Sequence, residues 1–257
     1  MNNDDDIRLA VLIDADNISS HYVKALMEEV ARYGIPTIKR IYGDWTRPNL
    51  SNWKNCLLDH AIAPIQQFGY TSGKNSTDSA LIIDAMDILY AEKVDGFCLV
   101  SSDSDFTRLA TRLREAGKVV YGFGEQKTPN PFIAACDRFV FLEIIHGVDN
   151  SLTRPAQPSS SNSCSQPINY QTHDYKIDQD LSNLVYSSIN DVADEDGWAF
   201  LGDVGNMIIK KRPSFDPRAY GCNKLSALIR KFDRIEFDER PTNSPRIMHI
   251  YIRLKDN

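Results

Sequence analysis

The chain has 257 residues, 42% of them hydrophobic and 25% charged, with a formal net charge of −6, the balance of an ordinary globular protein of one or two domains. No apolar run reaches the ~18 residues that cross a bilayer, and the acidic start Asp4-Asp5-Asp6 is not a secretory leader. Five scattered cysteines with no CxxC pair argue against a zinc site or disulfide framework and for a reducing, cytoplasmic setting, while the negative total argues against coating nucleic acid by bulk attraction.

In chain order, residues 8–13 form a nearly continuous apolar run, as expected of a parallel strand buried on both faces. A helix is predicted over about 20–33, stopped by Gly34 and Pro36. Further strands are expected at 37–42, 63–68, 96–100, 119–123 and 139–142. Helices are expected between them at about 50–61, 78–91, 106–116 and 131–136, with Gly117 as a C-cap. This alternation predicts an α/β sandwich on a mainly parallel sheet, in which function gathers beyond the carboxyl ends of the strands.

After His146 the text turns to Ser, Asn, Gln, Pro and Thr, centred on Ser159-Ser160-Ser161-Asn162-Ser163. Little there can offset ordering entropy, so 149–179 reads as a flexible linker between a domain at 1–148 and a second at 180–257. The first domain has 15 Lys and Arg against 20 Asp and Glu, a net of −5, and the second has 12 against 12. The negative excess therefore lies with the first.

Several of its acids have a shared address. The first strand runs into Asp14-Ala15-Asp16-Asn17, and the strand at 96–100 runs into Ser101-Ser102-Asp103-Ser104-Asp105, so both clusters leave the same edge of the sheet. Asp78 opens the helix feeding the second of these strands, and Asp84 follows inside that helix among apolar neighbours. Two charges ~4 Å apart repel by about 4 kcal/mol at an effective dielectric of 20. Such a cluster needs a reason, and its oxygens suit Mg²⁺ or Mn²⁺, which can activate water and stabilise a phosphodiester under attack. Asn17 could hold a catalytic carboxylate or a phosphate, or cap the next helix. Asp103 and Asp105 have a capping alternative, and Asp44 points at the same edge but can be structural. Lys74 lies in the loop at 69–77, and Trp45, Arg47 and Trp53 lie in and just after the loop at 45–52, where rings can stack on bases and cations can meet phosphates, with packing of the tryptophans an equal alternative. Arg108 and Arg112 share a helix face, where a solvated surface is the default.

The segments Ile13-Asp14-Ala15-Asp16-Asn17, Lys74-Asn75-Ser76-Thr77-Asp78 with Asp84, and Val100-Ser101-Ser102-Asp103-Ser104-Asp105-Phe106 resemble the NYN domain, a PIN-like nuclease superfamily, in its LabA-like branch. The resemblance covers roughly 8–143 and implies a Rossmannoid three-layer sandwich and Mg²⁺- or Mn²⁺-dependent hydrolysis of RNA. It implies metal-binding acids at Asp14, Asp78, Asp103 and Asp105, with Asn17 as the Asn after the first strand. Asp84 is carried as a further candidate ligand. A haloacid-dehalogenase phosphatase, suggested by Asp14-Ala15-Asp16, lacks a persuasive cap segment. A dinucleotide-binding domain lacks the glycine fingerprint. A non-catalytic RNA-binding regulator retaining the fold is the alternative from another class.

In the second domain Leu181, Leu184, Val185, Ile189 and Val192 make a helical apolar stripe. Helices to about Lys211 and over 223–232, then a hairpin from 235–237 and 248–254 turning at 241–246, predict a small winged-helix arrangement. Lys210, Lys211, Arg218, Lys224 and Arg230 offer a phosphate-facing patch. Gly197-Trp198, Pro213-Ser214-Phe215-Asp216-Pro217-Arg218-Ala219-Tyr220-Gly221 and Lys224-Leu225 resemble the OST-HTH (LOTUS) domain, which implies RNA binding or, in some relatives, protein binding. The expected whole is an endoribonuclease with RNA as partner and no membrane association.

Overall fold

The computed structural model describes residues 7–68, 76–146, 177–241 and 248–255. Lys74, nearly all of the expected linker, Cys164 and the hairpin turn lie outside them. The chain divides into two compact units, 1–149 and 150–257.

In the first unit six parallel strands, β1 (Arg8–Asp14), β2 (Ile35–Gly43), β3 (Ala63–Gln66), β4 (Gly96–Val100), β5 (Val119–Gly124) and β6 (Arg138–Phe141), lie in the order β3-β2-β1-β4-β5-β6. Their apolar side chains alternate between two cores, as the two-residue period of a strand requires. Leu9, Val11 and Ile13 pack with α1 (Val23–Val30) and α2 (Trp53–Asp59). Ala10 and Leu12 pack on the other face with α3 (Ser76–Tyr90), α4 (Thr107–Glu115) and α5 (Asn130–Ala135). Burial on both faces is why β1 and β4 read as unbroken apolar runs.

Two local expectations are corrected. Residues 20–22 form a 3-10 turn and α1 is shorter than the apolar period suggested. Pro36 lies inside β2 instead of ahead of it. The register slips by one residue between Leu9 and Ala10, and a bulge is a place where a strand tolerates proline. Gly117 does end α4, at φ +76.

The second unit contains α6 (Gln179–Val192), β7 (Ala199–Phe200), α7 (Leu201–Lys211), α8 (Leu225–Ile229), β8 (Ile235–Pro241) and β9 (Met248–Leu254). Leu181, Val185 and Ile189 of the predicted stripe are fully buried against Val204, Ile208, Leu228 and Ile252. The hairpin is joined by β7, making a three-stranded antiparallel sheet in the order β7-β9-β8. The last helix is shorter than expected, Leu225–Ile229.

Candidate functional site

β1 and β4 are neighbours at the centre of the first sheet, and the chain leaves them in opposite directions, towards β2 and towards β5. Their carboxyl ends flank the crevice where open α/β sheets bind ligands.

Asp14, the last residue of β1, is wholly buried. Its Oδ1 accepts from the Asp16 N–H at 3.1 Å, and its Oδ2 accepts from Asn17 Nδ2 at 2.6 Å and Ser101 Oγ at 2.8 Å. Burial pushes this carboxyl above its ordinary range, and the three donors pull it back. Ser101 Oγ also accepts the Asp103 N–H at 3.1 Å, so one hydroxyl ties the end of β1 to the loop after β4. Asp103 caps the following 3-10 turn, its Oδ1 accepting from the Asp105 N–H at 3.0 Å. The end of β5 closes on the same loop. A Cβ at Gly124 would stand 2.6 Å from the Ser101 carbonyl oxygen.

Asp78, in the first turn of α3, is 8% exposed. Ligand atoms of Asp78, Asp103 and Asp105 lie within 4.8 Å of one another. Burial first, then the charges of Asp14, Asp103, Asp105 and Asp16, raises the Asp78 carboxyl to about 6. Asp16 is exposed and its Oδ2 accepts from Thr77 Oγ1 at 2.8 Å, tying the loop after β1 to the start of α3. The donor set is hard oxygen throughout, and its members repel one another. Both properties fit a hard divalent cation.

Asp84 is a correction, because it does not join this field. It accepts hydrogen bonds from Arg40 and Tyr42 of β2. Six residues of helix turn a side chain ~120° away from Asp78 and here face it to β2. Of the two readings of the tryptophans, packing is the one Trp53 follows, as a core residue, while Trp45 is part-buried with its indole N–H donating to the Ile65 carbonyl at 3.0 Å. Asp44 is buried and braces its loop, accepting from Thr46 Oγ1 at 2.6 Å and Gln66 Nε2 at 3.0 Å. Arg47 is paired with it at 3.4 Å. Arg108 is exposed, and Arg112 donates to the Tyr90 hydroxyl at 3.4 Å.

In the second unit Lys210 and Lys224 are exposed. Lys211 is paired with Asp191 at 2.6 Å, and Arg230 with Glu239 at 2.8 Å. Arg218 is a further correction. Its side chain is only 12% exposed and folds back onto Asp216 at 2.6 Å, which also caps the turn beginning at Pro217. Two residues that bind the acid site together, Ser101 and Thr77, went unnoticed in the sequence. Their signal was only that a hydroxyl stood next to the acids.

Comparison with known proteins adds two matches. Residues 8–143 match the NYN domain and residues 174–247 match the OST-HTH/LOTUS domain. Among solved structures the chain is similar to a protein of unknown function from Vibrio parahaemolyticus, at 20% identity over 54% of this chain and 94% of that one, with a TM-score of 0.45. It is also similar to an uncharacterized protein from Nitrosomonas europaea, at 29% identity over 39% and 94%, TM-score 0.29. A Chromobacterium violaceum protein is similar at 35% identity over 31% and 85%, TM-score 0.26. No curated protein matches the sequence. Among the described residues no helix is long and apolar enough to cross a membrane. Taken with the parallel, helix-flanked PIN-like sheet, the two domain matches support an RNA-related nuclease, and the chain belongs to the NYN domain family, with an OST-HTH/LOTUS domain at its C-terminal end.

Proposed function

We propose that this protein is a divalent-metal-dependent endoribonuclease, with an NYN body at 1–148, a linker at 149–179 and an RNA-binding OST-HTH domain at 180–257. The observation that carries the reading is the gathering of Asp78, Asp103 and Asp105 within 4.8 Å, with buried Asp14 behind them, at the meeting of β1 and β4. Asp78, Asp103 and Asp105 are the residues that would hold Mg²⁺ or Mn²⁺. Such a cation supplies Lewis-acid polarisation of a phosphoryl oxygen and relief of negative charge.

The chain's own residues do the positioning. Asn17 and Ser101 fix the orientation of Asp14 and oppose the upward push of its burial, and Ser101 sets the Asp103 backbone. At neutral pH Asp78 is above its raised pKa and gives up its proton, so that all three carboxylates offer oxygens. Exposed Lys210 and Lys224 have the access a phosphate contact requires.

The test is cleavage of end-labelled single-stranded RNA with Mn²⁺ or Mg²⁺, wild type against Asp103→Asn. Loss of metal-dependent cleavage in the variant is expected. Cleavage that survives unchanged refutes the site, and RNA retention without any cleavage favours the regulator instead.

A further inference from the structure

We propose that the outer face of the β7-β9-β8 sheet docks an arginine- or lysine-rich segment of a partner protein. This inference is independent of the nuclease reading. Elements packed on this sheet within the unit do so through its other face, where Ile235, Phe237, Ile250 and Ile252 join the core. By strand alternation the outer face carries Phe200, His249, Tyr251, Arg253, Glu236, Asp238 and Arg240, with Trp198 beside them.

The rings form a ladder that already accepts cations. The Arg253 guanidinium lies over Trp198, 4.6 Å from its ring centroid, and Arg240 lies over Tyr251 at 4.0 Å. Arg240 is also 5.6 Å from the Trp198 ring. Phe200 continues the row, 5.7 Å from Tyr251 and 4.9 Å from His249. The row is accommodated by the backbone: a Cβ on Gly202, in the first turn of α7, would come within 2.6 Å of the Phe200 ring. A helix tolerates glycine at a cost, so an open position under an aromatic ring is a feature of the design of this face.

Charge selects the occupant. The two arginines are matched by carboxylates on the same face, Arg240 to Asp238 at 2.7 Å and Arg253 to Glu236 at 2.8 Å. Next to Trp198 the chain adds exposed Asp194, Glu195 and Asp196. The two strand pairs neutralise themselves, and the three acids beside Trp198 leave these groups with a net negative charge that repels a polyanion. Part-exposed rings flanked by carboxylates attract guanidinium and ammonium groups, through the ring face and through ion pairing together. RNA, the other ligand that stacks on rings, has the wrong sign here.

The experiment uses the full chain labelled with ¹⁵N at its three tryptophans, so that each indole N–H reports its own surroundings. The probes are a synthetic peptide of alternating arginine and glycine, a matched glutamate–glycine peptide, and an oligouridylate. The arginine peptide is expected to move the Trp198 indole signal and leave those of Trp45 and Trp53 in place. In Glu195→Lys/Asp196→Lys, which alters only exposed side chains, its affinity should fall at least roughly fivefold, and in Phe200→Ala roughly threefold. An unchanged affinity in the charge-reversed protein overturns the proposal. So does a Trp198 signal that responds to the oligouridylate and not to the arginine peptide, or to none of the probes.

Discussion

Asp78→Asn should stabilise the metal-free protein at neutral pH, which reverses the usual effect of removing a buried charge. The Asp78 carboxyl is raised from 3.8 to about 6 by its burial and by four neighbouring acids. That difference corresponds to ~3 kcal/mol carried against folding by the ionised form. The native state holds the proton more tightly than the unfolded chain. Between about pH 4 and 6 folding therefore takes up a proton, and stability falls as pH rises through that window. Asparagine removes the charge at nearly the same size. Allowing for altered hydrogen bonding, a gain of about 1–2 kcal/mol is expected at pH 7.5. The assay is urea unfolding with a chelator present, at pH 7.5 and at pH 4. The advantage of the variant should disappear at pH 4, where wild-type Asp78 is also neutral. A variant no more stable than wild type at pH 7.5, or equally stabilised at both pH values, would refute the account of Asp78 as a member of a shared acid field.

Other outcomes follow from the same geometry. Mn²⁺ affinity, measured by calorimetry, should weaken as pH falls from 7 to 5, because protons compete for Asp78; a flat profile would exclude it as a ligand. Ser101→Ala removes a donor to Asp14 and an acceptor for the Asp103 N–H, and should cost about 1–3 kcal/mol of stability with a drop in Mn²⁺ affinity. Asp84→Ala leaves Arg40 and Tyr42 without their shared acceptor and should destabilise by about 2–4 kcal/mol, while Mn²⁺ affinity at a temperature where the fold is retained stays within twofold of wild type. Gly124→Ala places a Cβ against the Ser101 carbonyl and should lower Mn²⁺ affinity along with a melting temperature read by circular dichroism.

The central strands and their acids were legible because two rules coincide there. A strand buried on both faces shows an unbroken apolar run, and acids at or soon after its end mark the sheet edge, as with Asp14 after Ile13 and Asp103 three residues after Val100. What stayed hidden depended on partners far away in sequence. Asp84 is an acid in an apolar helix in either reading, and only the fold shows that Arg40 and Tyr42 meet it. Arg218 looked like part of a basic patch, although Asp216 two residues earlier was a visible partner. β7 is two residues long, too short for a period to register, and Pro36 reads as a terminator unless the bulge beside it is known.

The hydrogen bond from Ser101 to Asp14 spans 87 residues, and this separation governs when the site can exist. β1, β2 and β3 are complete once residue 66 has been made, but β1 gains its other neighbour only after residue 100. At ~5–20 residues per second, synthesis leaves the end of β1 without Ser101 for seconds. Pairings of such long range also form late because loop closure must come first. A nascent or truncated chain therefore carries Asp14 without its Ser101 anchor and Asp78 without Asp103 and Asp105, and any chemistry of this edge is confined to molecules whose folding has finished.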